Sequence, residues 1–250
     1  MSDKLEVYYF SPTGGTKKVS SIFADAMGKE VIWHDLGSKE TMLEQPEGEM
    51  IVVAAPVFGG RIPSVIREKI EKFSGIGKTA VTIAVYGNRA YEDALLEMND
   101  ILIKCGFTVI ASGAFVAQHS MAPEVGAGRP DGEDEKDIQK FAESVKNSTS
   151  AENVHVPGNR PYKPEMNMPV TPISLPSCTK CGKCAAVCPT NAISVTDGAV
   201  VTDTEKCILC MACTHVCAEQ ARILPPPLQK KMEQMLGPLK NVRNKNEMFL

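Results

Sequence analysis

Leu5-Glu6-Val7-Tyr8-Tyr9-Phe10-Ser11-Pro12-Thr13-Gly14-Gly15-Thr16 is an apolar run that breaks into a loop of hydroxyls and glycines. Lys17 to Met27 follows, with Val19, Ile22, Phe23 and Ala26 at helical spacing. Strand, loop and helix in that order gather backbone N–H groups, side-chain hydroxyls and the positive end of a helix dipole. Such a place suits a phosphate. The loop has no Walker lysine, and neutral donors suit a terminal phosphomonoester. An ordinary polar turn is the plain alternative; the strand–loop–helix context favours the phosphate.

The same alternation continues outward. Val31 to His34 reads as a short strand, and Met50 to Ala55 as a buried strand stopped by Pro56. Pro63 opens a helix that runs to about Phe73. Ala80 to Val85 is another buried strand, Ala90 to Lys104 a helix, Phe107 to Ala117 a strand and Glu133 to Lys146 a helix. Continuous apolar strands alternating with helices predict an α/β fold with a doubly wound, five-stranded parallel sheet. Its expected order is 2-1-3-4-5, which places ligands at the strand carboxyl ends. Two more loops leave those ends: Pro56-Val57-Phe58-Gly59-Gly60-Arg61 and Tyr86-Gly87-Asn88-Arg89-Ala90-Tyr91-Glu92. Each offers an aromatic residue and pliable backbone, suited to sandwiching a flat ring. Gln118-His119-Ser120-Met121 follows the fifth strand. His119 either borders such a ring or makes a loop hydrogen bond.

Eight of the nine cysteines form two copies of one pattern. The first is Cys178, Cys181, Cys184 and Cys188, the last followed by Pro189. The second is Cys207, Cys210, Cys213 and Cys217, each 29 residues after its counterpart. Such spacing wraps thiolates around [4Fe–4S] cubes. Structural zinc prefers separated pairs and fits poorly. Cys105 stands alone in the first 177 residues and reads as a small core residue. A disulfide scaffold is therefore not expected. His215 reads as an exposed loop histidine between two ligands.

These motifs carry two resemblances. The cysteine stretch resembles the bacterial two-[4Fe–4S] ferredoxins, a small α+β fold. In that family the fourth cysteine of each run ligates the other cluster. The resemblance thus implies one cluster on Cys178, Cys181, Cys184 and Cys217, and a second on Cys207, Cys210, Cys213 and Cys188. Ala218 stands where the family usually has proline. Residues 4–147 resemble flavodoxins, which bind FMN. That likeness implies that Ser11, Thr13, Gly14, Gly15 and Thr16 hold the phosphate. It also implies that residues 56–61 and 86–92 border the isoalloxazine, with Tyr91 stacking on it. Gly15 departs from the usual asparagine, and Asn88 and Arg89 replace residues that are often acidic. With Arg61, they would favour an anionic reduced flavin and raise its potential. The whole chain looks like a flavodoxin–ferredoxin fusion.

The chain has 250 residues, 43 % of them hydrophobic, and a net charge of −3. Length allows two domains, and the charge argues against a dedicated nucleic-acid binder. No apolar run reaches the ~18 residues of a membrane span. Met1-Ser2-Asp3 leads straight into a strand, so no signal peptide is expected. The expected organisation is a sheet domain at 1–147, a proline-punctuated linker at 148–176, a cysteine domain at 177–224 and a tail at 225–250. A short helix is expected over Leu228 to Leu236. Residues 1–150 carry a net −6 and residues 151–250 a net +3. The basic tail therefore either docks an acidic partner, covers its own acidic sheet domain, or is solvated. The expected function is electron transfer between FMN, two [4Fe–4S] clusters and redox-protein partners, in the cytoplasm of an anaerobic metabolism. An FMN-dependent reductase acting on a small molecule or a nicotinamide is the alternative. A tethered second domain leaves room for a homodimer.

Overall fold

The computed structural model describes residues 4–39, 45–166, 168–196 and 198–250. The signal-peptide reading at Met1 to Asp3 lies outside them. The first part alternates β1 (Lys4–Tyr9), α1 (Gly15–Met27), β2 (Glu30–Asp35), β3 (Met50–Pro56), α2 (Ser64–Ile70), β4 (Thr79–Tyr86), α3 (Ala94–Lys104), β5 (Thr108–Val116) and α4 (Gly132–Asn147). After an extended segment come β6 (Ile173–Ser174), α5 (Lys183–Ala186), β7 (Ile193–Thr196), β8 (Ala199–Thr202), α6 (Ala212–His215) and β9 (Arg222–Ile223). The chain closes with α7 (Pro226–Leu236) and β10 (Glu247–Phe249).

The five parallel strands lie in the order 2-1-3-4-5. β4 and β5 are buried along almost their whole length, while β2 alternates as an edge strand should. Val19, Phe23, Ile138 and Phe141 of α1 and α4 pack on one face of the sheet. Ile66, Ile70, Leu95, Met98 and Leu102 of α2 and α3 pack on the other. The sheet has six strands rather than five, because β10 pairs antiparallel with β5. That pairing covers the edge that β5 would otherwise present to solvent.

The tail reaches this edge through charge and amide contacts. Arg243 bonds both carboxylate oxygens of Asp131, at 2.6 and 2.9 Å, and meets Glu133 at 3.1 Å. Those acids open α4, where Asp131 forms a capping box with Asp134. Of the three readings of the basic tail, the one that covers its own acidic sheet domain describes Arg243. The proline-rich segment runs over α3: Asn159 bonds Asp93, and Arg160 and Tyr162 both bond Asp100.

The cysteine-bearing part preserves the repeat in three dimensions. α6 begins and ends 29 residues after α5. The N–H of Ala192 donates to Cys188 Sγ at 3.2 Å, and its counterpart Ala221 donates to Cys217 Sγ at 3.3 Å. No helix of the described residues is long and apolar enough to cross a membrane.

Candidate cofactor sites

A cavity of about 420 Å3 opens at the carboxyl ends of β1, β3, β4 and β5. It lies at the point where the strand order reverses, between β1 and β3. Ser11, Thr13, Gly15 and Thr16 line one end. Gly14 caps α1 at a φ of 86°, a left-handed turn that glycine makes without strain. Ser11 Oγ accepts the Lys17 N–H at 2.8 Å. The N–H groups of Gly15 and Thr16 open the helix, where intrahelical acceptors are lacking. These donors, with the dipole end, fit a phosphate.

Pro56, Val57, Phe58 and Gly59 line the adjoining wall, followed by Tyr86, Gly87, Arg89 and His119. His119 is held at a pKa of about 4 by burial and by Arg89, with Glu124 opposing. Its Nδ1 accepts the Met121 N–H at 3.1 Å, which assigns the proton of the neutral ring to Nε2. At neutral pH the imidazole is thus a hydrogen-bond donor and not an acid.

Seven residues named from the sequence stand off this cavity. Gly14 lies in an adjoining crevice with Lys18, Arg129 and the exposed His215. Arg61 is drawn to Glu97 by two bonds of 2.8 and 2.5 Å and donates to the Lys163 carbonyl. Gly60 has a φ of 92°, and a Cβ there would run into Glu92. Glu92 itself binds Arg89 and Lys163. Ala90 and Tyr91 line a shallow groove nearer the tail. Tyr91 is buried, packs edge-on against Tyr86 and donates to Glu247 at 2.6 Å. Its ring supports β10 and has no face on the cavity. Asn88 is fully buried at a φ of 57° and holds the tail through Val242 and Asn244. Of Asn88, Arg89 and Arg61, only Arg89 is left to act on a bound ring by charge.

The roof comes from parts the sequence did not place here. Lys163, Met166 and Met168 line it from the proline-rich segment, and Lys231, Met232, Met235 and Leu236 from α7. Leu209 and Cys210 complete it. Leu228, Met232 and Leu236 follow helical spacing on the buried face of α7, a signal for burial but not for this cavity.

The thiols fall into two groups. Cys178, Cys181, Cys184 and Cys217 surround a space of about 110 Å3. Cys188 packs with Cys207 and Cys213, and Cys184 of the first group borders the same cluster; burial first, and then the charges of Cys213, Cys188 and Cys207, raise the Cys210 thiol. Among the described residues, no three His, Cys, Asp or Glu side chains are arranged to hold a single metal ion. The four thiols around the space of Cys178, Cys181, Cys184 and Cys217 fit a cube. Burial pushes Cys210 up to about 12 and also raises Cys184, Cys207 and Cys213. Iron would therefore displace protons from these thiols as it binds. Cys181 is exposed, and the N–H of Lys183 lowers its pKa. Cys105 caps α3 half-buried, its Sγ near the carbonyls of Ile70 and Glu71.

Residues 177–231 match the family of the 4Fe-4S dicluster domain. Over 64 residues, 25 % of the chain, the protein is 41 % identical to the polyferredoxin-like subunit of an aliphatic sulfonate oxidoreductase from Pyrococcus furiosus. It spans about a third of that curated relative, 35 % of its length. Among solved structures it is similar to oxidised flavodoxin 1 from Bacillus cereus, at 17 % identity and a TM-score of 0.47, covering 58 % of this chain and 99 % of that one. A flavodoxin from the domain Archaea is similar at 16 % identity and a TM-score of 0.46, covering 57 % and 96 %. The chain thus joins a doubly wound sheet of the 2-1-3-4-5 order to a region that matches a 4Fe-4S dicluster domain.

Proposed function

We propose that the protein is an electron carrier in which FMN and two [4Fe–4S] clusters form one relay within a single chain. The observation that carries this reading is Cys210, which lines the same cavity as the Ser11–Thr16 loop. The group on Cys188, Cys207, Cys210 and Cys213 is then the inner cluster, beside the flavin. The group on Cys178, Cys181, Cys184 and Cys217 is the outer one, with Cys181 exposed to a partner. FMN would supply an exchange of two electrons as single ones. The chain's own residues bind its phosphate through the Ser11–Thr16 loop, cover its ring with Met166, Met168 and Met232, and keep water out. Because Cys210 belongs to the same chain, no neighbouring subunit is needed. Redox proteins are the partners this arrangement serves, and a reducing cytoplasm suits its free thiols.

Anaerobic spectroelectrochemistry on the reconstituted chain tests the reading. Flavin, iron and sulfide in the ratio of one FMN to two cubes support it, and a chain that retains neither flavin nor iron sinks it. Rapid hydride transfer from a nicotinamide to the flavin would instead favour an FMN-dependent reductase. A second expectation concerns Arg89. Arg89 and Lys163 share Glu92, and both cations line the cavity along with Lys231, leaving its rim net positive. Arg89→Glu should lower the flavin potential by an amount on the order of 1 kcal/mol, roughly 40 mV for one electron. An unmoved potential in a redox titration would show that Arg89 does not act on the ring.

A further inference from the structure

The repeat contains one exchange that packing does not account for. Ile193 is buried among Cys184, Cys188 and Cys213. Its counterpart 29 residues later is Arg222, on β9. An arginine thus occupies the position of a core isoleucine, and it is only 3 % exposed. Its Nη1 donates to Ser174 Oγ at 3.0 Å and its Nη2 to Thr202 Oγ1 at 2.8 Å. Nε has no partner. Both partners are neutral hydroxyls, so neither balances the charge. A guanidinium stays protonated at any ordinary pH, and burying one without an opposite charge is strongly unfavourable.

The opposite charge is implied by what surrounds it. Arg222 lines the same space as Cys178, Cys181, Cys184 and Cys217. It also borders the other group: β9, which carries Arg222, packs against α6, the helix of Cys213. One cation therefore lies beside both sets of ligands. An iron–sulfur cube with four thiolates is an anion, and the ion's own charge governs such a site. Each reduction adds one electron to a cube, with no bond made or broken and no proton required from Arg222.

We propose that Arg222 is a counter-charge shared by the two clusters, a positioning residue that holds both reduction potentials up. This rests on the two cysteine groups being cluster sites. A fixed positive charge favours the state with the extra electron. Proximity to both groups extends the effect to both clusters, and it offsets the repulsion that an electron on one exerts on the other.

The test is an anaerobic redox titration followed by EPR on the full chain, with iron and sulfide counted in each variant. Arg222→Ile installs the residue of the repeat partner, Arg222→Gln keeps polarity without charge, and Arg222→Lys keeps the charge. The expected result is that Ile and Gln make both clusters at least tenfold harder to reduce, 59 mV for one electron, while Lys retains most of the wild-type potential. Ile and Gln variants that lose their clusters while Lys keeps them would also support a counter-charge. Wild-type potentials in fully loaded Ile and Gln variants would overturn the proposal, leaving Arg222 a tie between β9 and its hydroxyl partners. So would a Lys variant as shifted, or as empty, as the Gln variant, because geometry and not charge would then matter. Wild-type protein without iron and sulfide would instead overturn the cluster reading itself.

Discussion

Replacing Cys207 and Cys210 together with alanine is expected to strand electrons on the flavin. Both belong to the inner group, and Cys210 lines the flavin cavity. The variant should keep the outer cluster, because Cys178, Cys181, Cys184 and Cys217 form their own space. Photoreduction of the bound flavin, followed by freezing and EPR, measures the transfer. In the wild type the cluster signal should grow as the flavin bleaches. In the double variant it should grow slower by roughly a hundredfold or more, about 2.7 kcal/mol of barrier. The companion variant Cys181→Ala, in the outer group, should leave flavin-to-cluster transfer fast and lose delivery to a protein acceptor. Transfer at the wild-type rate in the Cys207/Cys210 variant would mean that the outer cluster meets the flavin directly, and the assigned order would be wrong.

The sequence made the sheet visible because its central strands are buried on both faces. Runs such as Met50 to Ala55 carry no polar residue that a surface would need. β10 is the opposite case: Glu247-Met248-Phe249 is three residues with no period, and its pairing comes from contacts made far from it in the chain. The same contrast runs through the cavity. Ser11, Thr13, Gly15 and Thr16 were legible because phosphate loops demand small and hydroxylated residues around a helix start. The roof was not, because Met166 and Met168 lie in a segment without periodicity, and Cys210 has a sufficient reading as a ligand. Asn88 and Tyr91 stand in the expected loop, yet backbone direction decided their roles. A φ of 57° at Asn88, which asparagine tolerates better than most residues, goes with a side chain directed at the tail. Tyr91 is held there by Glu247. Arg222 was open to notice as the charged counterpart of Ile193 in the repeat, but its burial was not.

Asn88 should then matter for stability and not for redox tuning. Its Nδ2 donates to the Val242 carbonyl at 2.6 Å, and its Oδ1 accepts from Asn244 N at 3.1 Å and from Arg129 Nη1 at 3.2 Å. Its own carbonyl accepts the Asn244 side chain at 2.8 Å. Alanine would remove the side-chain bonds and leave buried partners unsatisfied, Arg129 among them. Arg129 would still be held by Asp134, through bonds of 2.9 and 2.5 Å, so its charge is not orphaned. The cost should be about 3 kcal/mol, or roughly 6–12 °C in the unfolding midpoint for a chain of this size. Asn88→Asp keeps the acceptors but loses the donor to Val242, and should fall between. Deleting residues 243–250 removes β10, the Arg243 bonds and the Tyr91–Glu247 bond together, and should exceed either substitution. Because Gly87 and Arg89 flank Asn88 and both line the cavity, flavin affinity should fall in the same order as the midpoints. Thermal unfolding by circular dichroism and flavin fluorescence measure the two quantities. Melting of Asn88→Ala at the wild-type temperature would show that the tail is held by Arg243 and β10 alone, with Asn88 a passenger in the loop.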